Sequence, residues 1–436
     1  MKHFSTGRLL PSCFLLLLQA GFTSGGRSQD GQALLQGKAA MGDYTTDAPG
    51  VRRLLKVKDL PSPGATKSVR NMPKLVKRPE SAWPKAPPEF EVTLYAEGFK
   101  NPRKLVTAPN GDVFVAESTA NEIRLLRDSN ADGKPDSNVK FASGLNKPFG
   151  MAFHPSASPR FLYVANTDSV VRFDYKAGQN ESTGKPEKLV DLSSGGMLTG
   201  GGHWTRDIVF SSDGSRMYVS VGSKSNNDDD DAERDRARIF EYDPEGRDSR
   251  VFAYGIRNPV GLAIHPATGS LWTSVNERDE LGDDLVPDYI TQVKEGGFYG
   301  WPWYYLGPLH DPKHEGKFPE LKARVIVPDV LLQSHSASLN LMFHPGANAP
   351  PDYKYNVFAC LHGSWNRSLR TGYKVVRVPT GSDGSASGEY IDFLTGFVTS
   401  EGEVWGRPVG ITLASDGAIL VSDDGGNCIW SVKYKR

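Results

Sequence analysis

The chain has 436 residues, 46 of them glycine and 30 proline, with 38% hydrophobic and 23% charged residues. Lys and Arg together number 51, as do Asp and Glu, so the formal net charge is zero and nothing global favours nucleic acid or an anionic membrane as partner. Glycine and proline at this density supply turn dihedrals and interrupt helices, as a chain of many short strands requires.

At the N-terminus, Lys2 and Arg8 precede an apolar run over 9–18, which gives way to Thr23, Ser24, Gly25 and Gly26. A basic start, a short apolar core and a small-residue exit predict a secretory signal peptide over 1–25, and with it a periplasmic or secreted protein. The run is short for a bilayer span and no later segment is longer, so no transmembrane segment is expected in the mature chain; an uncleaved anchor is the alternative. Beyond it only Cys360 and Cys428 remain. Two separate buried thiols are the expectation, although an oxidising compartment permits one bridge. No CxxC pair for a metal or CxxCH for covalent haem occurs.

Residues 26–88 are polar and punctuated by Pro61, Pro63, Pro73, Pro79, Pro84, Pro87 and Pro88. They predict a proline-rich linker or an arm lying on the domain surface.

From 89 to 436 the chain repeats itself. NPRKLVTAPNGDVFVAES (from Asn101), KPFGMAFHPSASPRFLYVANT (from Lys147) and GHWTRDIVFSSDGSRMYVSVGS (from Gly202) share one layout. RNPVGLAIHPATGSLWTSVNE (from Arg257), ASLNLMFHPGANAPPDYKYNVFACLHGS (from Ala337) and GRPVGITLASDGAILVSDDGG (from Gly406) share it too. Each is an apolar strand, a turn rich in Pro, Asp, Asn or Gly, and a second strand; NEIRLLR, SVVRFDY, ARIFEYDP, GYKVVRVP and NCIWSVKY supply a third in five of them. A small sheet cannot bury both faces alone, and ringing it with copies of itself covers them. The prediction is an all-β, six-bladed β-propeller of four-stranded antiparallel blades. A β-sandwich leaves the repeated phrase unexplained. Loops between blades gather at one mouth of the central channel, where side chains from different blades converge.

His154, His265 and His344 recur in the same His-Pro turn of three repeats, which assigns them to the turn. His203 instead follows a glycine run and opens an inner strand, so it reads either as a general base or as a hydrogen-bonded core histidine. Arg257 and Asn258 open the next repeat, offering a planar fork of donors and a directional amide. Arg103, Arg367 and Arg407 also flank inner strands. Cations converging on one mouth repel unless an anionic ligand sits among them; ordinary ion pairs are the other reading. The stretch 275–284 is rich in oxygen donors suited to calcium, or is a solvated acidic loop, as the run 228–231 is. The loop 128–133 matches the first half of an EF-hand, but Val139 stands where its bidentate Glu belongs, so a polar turn is expected.

GIRNPVGLA, SVNERDELGDDLVPDYIT, GGFYGWPWYYLG, LHGSWNRSLRTGYKVVRV and the histidine in GGHWTRDIVF together resemble the sorbosone dehydrogenase family. That family is related to soluble sugar dehydrogenases that use pyrroloquinoline quinone (PQQ). The resemblance covers roughly 90–435 and implies PQQ held at the channel mouth with Ca2+. It casts His203 as general base, Arg257 and Asn258 as the cofactor pair, and Arg103, Arg367 and Arg407 as holders of the quinone's carboxylates. It makes Asp284 the acid that orients the histidine, and puts Glu277 and Arg278 near calcium-binding carbonyls in a loop of different length. The implied activity is oxidation of a sugar, sugar aldehyde or polyol by hydride transfer to PQQ, with Arg257 stabilising developing charge and a separate electron acceptor, a quinone or cytochrome. The alternatives are a calcium-dependent, lactonase-like hydrolase, which has no use for so many arginines, and a non-catalytic ligand-binding propeller.

Overall fold

Alternating apolar strands and turn clusters fold into six antiparallel sheets arranged as blades. The structure is a computed structural model that describes residues 1–3, 33–194 and 202–435. Most of the expected signal peptide, and Gly200 and Gly201 ahead of His203, lie outside the described residues.

Blade one runs Pro102–Thr107, Val113–Glu117, Glu122–Arg127 and Ser137–Ser143, and blade two runs Gly150–His154, Phe161–Ala165, Ser169–Asp174 and Glu187–Asp191. Blades three, four and five start at Ile208–Phe210, Pro259–Ile264 and Ser338–Phe343. Blade six comprises Pro408–Leu413, Ile419–Asp423 and Cys428–Tyr434, and its outer strand is Phe90–Glu97 from the other end of the repeats. The ring is therefore closed by pairing the two ends of the propeller.

Burial follows position in the blade. Second strands such as Val113–Glu117 and Val357–Leu361 are buried throughout, because neighbouring blades cover both faces. The outer strand Ser137–Ser143 alternates in and out along its first four residues, as a half-exposed strand does. Aromatic residues fill the seams. Phe114 packs edge-on against Phe141 and Phe153 between blades one and two, and Trp405 against Trp430 between five and six. Each such ring stabilises the seam by about 1.5–3 kcal/mol.

The repeated histidines serve their turns as expected. His265 Nδ1 accepts from the backbone N–H groups of Ala267 and Thr268, His344 Nδ1 from Gly346, and His154 stacks on Phe210. In the loop 128–133, Asp128 accepts from the backbone of Asp132 and Gly133, closing the polar turn on itself. Cys360 and Cys428 are separate buried thiols. Among the described residues no helix is long and apolar enough to cross a membrane.

The arm is built into the fold. Arg52–Leu54 pairs antiparallel with the outer strand of blade five, Glu389–Leu394, and Leu34–Gln36 adds in parallel beyond it. Beneath them Arg53 donates to Asp392 and Asp47, while Lys374 reaches both carboxylates.

Candidate active site

The inner strands all start at the same end of the ring, so the residues that open them share one mouth. There a cavity of about 600 Å3 is lined by Arg103, His203, Arg257, Asn258, Glu277 and Arg407, together with His335, His362, Trp204 and Trp365. Six residues singled out from the sequence are thus brought together.

His203 is half-buried. Its Nδ1 lies 2.9 Å from the Ser223 carbonyl and 3.1 Å from Ser223 Oγ. That hydroxyl spends its proton on the Ser225 carbonyl, 2.7 Å away, so both atoms can only accept and Nδ1 carries the hydrogen. The lone pair is left on Nε2, which has no hydrogen-bond partner among the described residues. Burial, and then the charge of Arg257, push the imidazole pKa down to about 3, which keeps it neutral. A side chain at Gly222 would strike Asn258 Oδ1 at 2.2 Å and His203 Cβ at 2.8 Å, so the two blades meet here only over glycine.

Arg257 is pinned by five acceptors. Nε donates to the Asn226 carbonyl, Nη1 to the carbonyls of Asn276 and Glu277, and Nη2 to Asn226 Oδ1 and Asp279 Oδ2. With every N–H engaged, it acts on the cavity through its charge. Asn258 Nδ2 donates to Asn276 Oδ1 at 3.4 Å.

The cavity is polarised. On the side of blades one and six, Arg407 Nη2 donates to His362 Nδ1 at 2.9 Å, so His362 Nε2 carries the hydrogen and donates to Asp424 at 2.7 Å. Asp424 also accepts from Arg103, whose guanidinium lies 5.4 Å from the centre of the Trp204 ring. Burial and Arg407 push His362 down to about 4, leaving two arginines against one carboxylate. On the side of blade four, burial pushes Glu277 up to about 8 and Asp288 up to about 6. Burial opposes the charges of Asp279 and His335, yet Asp279 is held below its usual range chiefly by Arg257, and His335 is raised by Asp279. Three buried polar atoms at this cavity have no partner among the described residues: Arg103 Nε, Asn258 Oδ1 and Glu277 Oε1. Unpaired buried polar atoms are costly, and these three are closed off from the open part of the cavity.

Three expected residues stand elsewhere. Asp284, expected to orient the histidine, forms an ion pair with Arg367 at 2.8 Å; Ser223 meets His203 instead. Arg367, expected at the carboxylate subsite, donates to the carbonyls of Met41 and Asp283, fastening the arm. Arg278 turns to Asp311 and the Asp279 carbonyl. Each is claimed by a nearer partner: Asp284 by Arg367, Arg367 by the Met41 and Asp283 carbonyls, and Arg278 by Asp311; Glu280 and Gly282, ahead of Asp284, are left-handed. The Glu277 carbonyl, in the stretch expected near calcium, accepts from Arg257 Nη1 at 2.6 Å. Among the described residues no three His, Cys, Asp or Glu side chains group as metal ligands.

A family model described as TrAA12-like matches residues 84–292 and 319–435. An uncharacterized protein of Borreliella burgdorferi is 28% identical over 365 residues, 81% of this chain and 91% of that protein. A pyrroloquinoline quinone-dependent pyranose dehydrogenase of Coprinopsis cinerea is 26% identical over 414 residues, 79% of this chain. The chain spans 54% of that protein's length. The holo PQQ domain of pyranose dehydrogenase from Coprinopsis cinerea superposes with a TM-score of 0.69 at 23% identity, covering 81% of this chain and 97% of that domain.

Proposed function

The chain belongs to the TrAA12-like family, and from that premise we propose that it is a PQQ-dependent dehydrogenase oxidising a sugar, a sugar aldehyde or a related polyol. The observation that carries this reading is one cavity in which Arg103 and Arg407, two arginines set against the single carboxylate of Asp424, stand beside a neutral histidine whose free nitrogen is unprotonated.

When bound, the quinone supplies the two-electron oxidant. Arg103 and Arg407 would hold its carboxylates by charge-assisted contacts. Asn258 lines the same cavity from blade four. The Arg257 charge, fixed by its five acceptors, stabilises negative charge developing at the centre of the cavity without reorganising. His203 Nε2 takes the proton of the substrate hydroxyl. In the apoprotein that nitrogen is a weak base; carboxylates brought close by the cofactor raise its pKa toward the working range. Ser223 fixes the tautomer throughout. Electrons then leave for a separate acceptor, and export to the periplasm or medium belongs to the same reading.

The test is to titrate the apoprotein with PQQ, with and without calcium, and follow the cofactor's absorbance as aldoses and sugar aldehydes are added. Binding, followed by bleaching on sugar that His203→Ala abolishes, is the expected result. No binding at micromolar PQQ overturns the dehydrogenase and brings the lactonase-like hydrolase or a binding module forward.

A further inference from the structure

The stretch 33–83 lies outside the region that the family model matches, yet part of it reaches the cavity. From Gly64 to Val76 the chain runs along the rim from blade four toward blade six. Gly64 N–H donates to the Leu281 carbonyl, and Thr66 Oγ1 accepts from Asp283 N–H. Asn366 donates to the Val69 carbonyl, and Val76 N–H donates to the Val404 carbonyl. Between these ties Asn71 is held three ways: its N–H donates to the Trp365 carbonyl at 2.7 Å, its Nδ2 to the Ser368 carbonyl, and its own carbonyl accepts from Arg370. Arg370 Nη2 also reaches the Met72 carbonyl.

These bonds fix a backbone whose next two side chains, Met72 and Pro73, line the cavity beside Trp365. Met72 is 53% exposed, so its thioether is open to whatever occupies the cavity it lines. The cavity it borders is the one that holds His203 and Trp365.

We propose that Met72 and Pro73 are specificity-determining residues, walling the outer part of the substrate compartment so that it admits a single small sugar and excludes chains of three or more units. This rests on the dehydrogenase reading above. A volume of about 600 Å3 shared between a tricyclic cofactor and its substrate leaves space of monosaccharide size. The tied backbone keeps the wall from swinging aside, while the thioether of Met72 adapts to the apolar C–H face of a pyranose ring. Pro73 adds stiffness to this segment by fixing its own φ.

The experiment compares kcat/KM for glucose and maltotriose in holoenzyme carrying Met72→Ala or Met72→Trp. Widening the wall is expected to raise the maltotriose-to-glucose ratio at least about tenfold and narrowing it to lower the ratio, the scale set by apolar pocket contacts. Ratios that stay within about twofold of the parent in both variants overturn the proposal. A second measurement needs no turnover. Met72→Cys in a Cys13→Ser background presents one exposed thiol, since Cys360 and Cys428 are buried. Its labelling by a maleimide is expected to be lost when PQQ and glucose are present together, and unchanged labelling overturns the wall. A variant that binds PQQ, shields the introduced thiol and oxidises no sugar refutes the dehydrogenase reading while leaving Met72 at the ligand.

Discussion

Replacing Arg53 with Ala is expected to release the N-terminal arm while the ring of blades stays folded. The Arg53 side chain is fully buried and bonds Asp392 at 2.7 Å, Asp47 at 2.9 Å and Thr46 Oγ1 at 3.1 Å. Its loss leaves Lys374 alone between two buried carboxylates. Removing one partner from a buried charge cluster costs about 3–5 kcal/mol. The arm's three-residue ladder on blade five contributes only about 1 kcal/mol net per hydrogen bond, so the penalty rivals what docks this strand. Blade five keeps its own four strands, and the damage is confined to the added ones. Trypsin is the assay: Lys56 and Lys58, on the arm just beyond its paired strand, are expected to be cut in the variant under conditions where the parent resists. Arg53→Lys, which restores a charge without the fork, should fall between. If Arg53→Ala resists trypsin as the parent does, with an unchanged urea midpoint, the buried cluster does not hold the arm.

In PQQ-loaded protein, His203→Ala is expected to slow bleaching by sugar about 10²–10⁴-fold; a fall smaller than about tenfold in stopped-flow absorbance removes His203 from the role of base. Arg103→Ala and Arg407→Ala should each weaken PQQ binding about 10–100-fold by titration calorimetry, the scale of one charge-assisted contact; unchanged affinity places the carboxylates elsewhere. Acid should loosen the apoprotein through His362. Its pKa is lowered from 6.5 to about 4, so its contribution is complete above pH 6.5 and is lost as the pH falls through 4. The difference amounts to about 3 kcal/mol over that window. His362→Gln keeps both the acceptor for Arg407 and the donor for Asp424, and should flatten this part of the melting temperature's pH dependence; an unaltered slope clears His362.

The ring was legible because each blade repeats one phrase, and the residues that open inner strands were legible with it: the repeat fixes where Arg103, His203, Arg257, Asn258 and Arg407 stand. Residues carried by irregular loops were not. Asp284, Arg278 and Arg367 belong to stretches without periodicity, where the partner a side chain finds depends on local turns such as the left-handed Glu280 ahead of Asp284. Ser223 and His362 were missed although a signal existed. Antiparallel register puts the end of each second strand opposite the start of the first, as Leu361 faces Ser338 and Asp423 faces Pro408. The residues just beyond, His362 and Asp424, had to border the mouth. The arm gave no such signal, since strands of three residues show no alternation and their pairing is dictated by the open edge of blade five.

The sixth blade borrows its outer strand from the start of the propeller, and this sets a clock on assembly. Glu97 pairs with Cys428, partners about 330 residues apart that meet only after all six repeats have been synthesised. Until the strand Cys428–Tyr434 leaves the ribosome, the blade that carries Arg407 and Asp424 is unfinished, and Phe90–Glu97 has no sheet to join. The cavity draws on blades at both ends of the ring, so cofactor capture waits for its closure. A truncation that removes this one strand would cost the binding site before it cost the other blades.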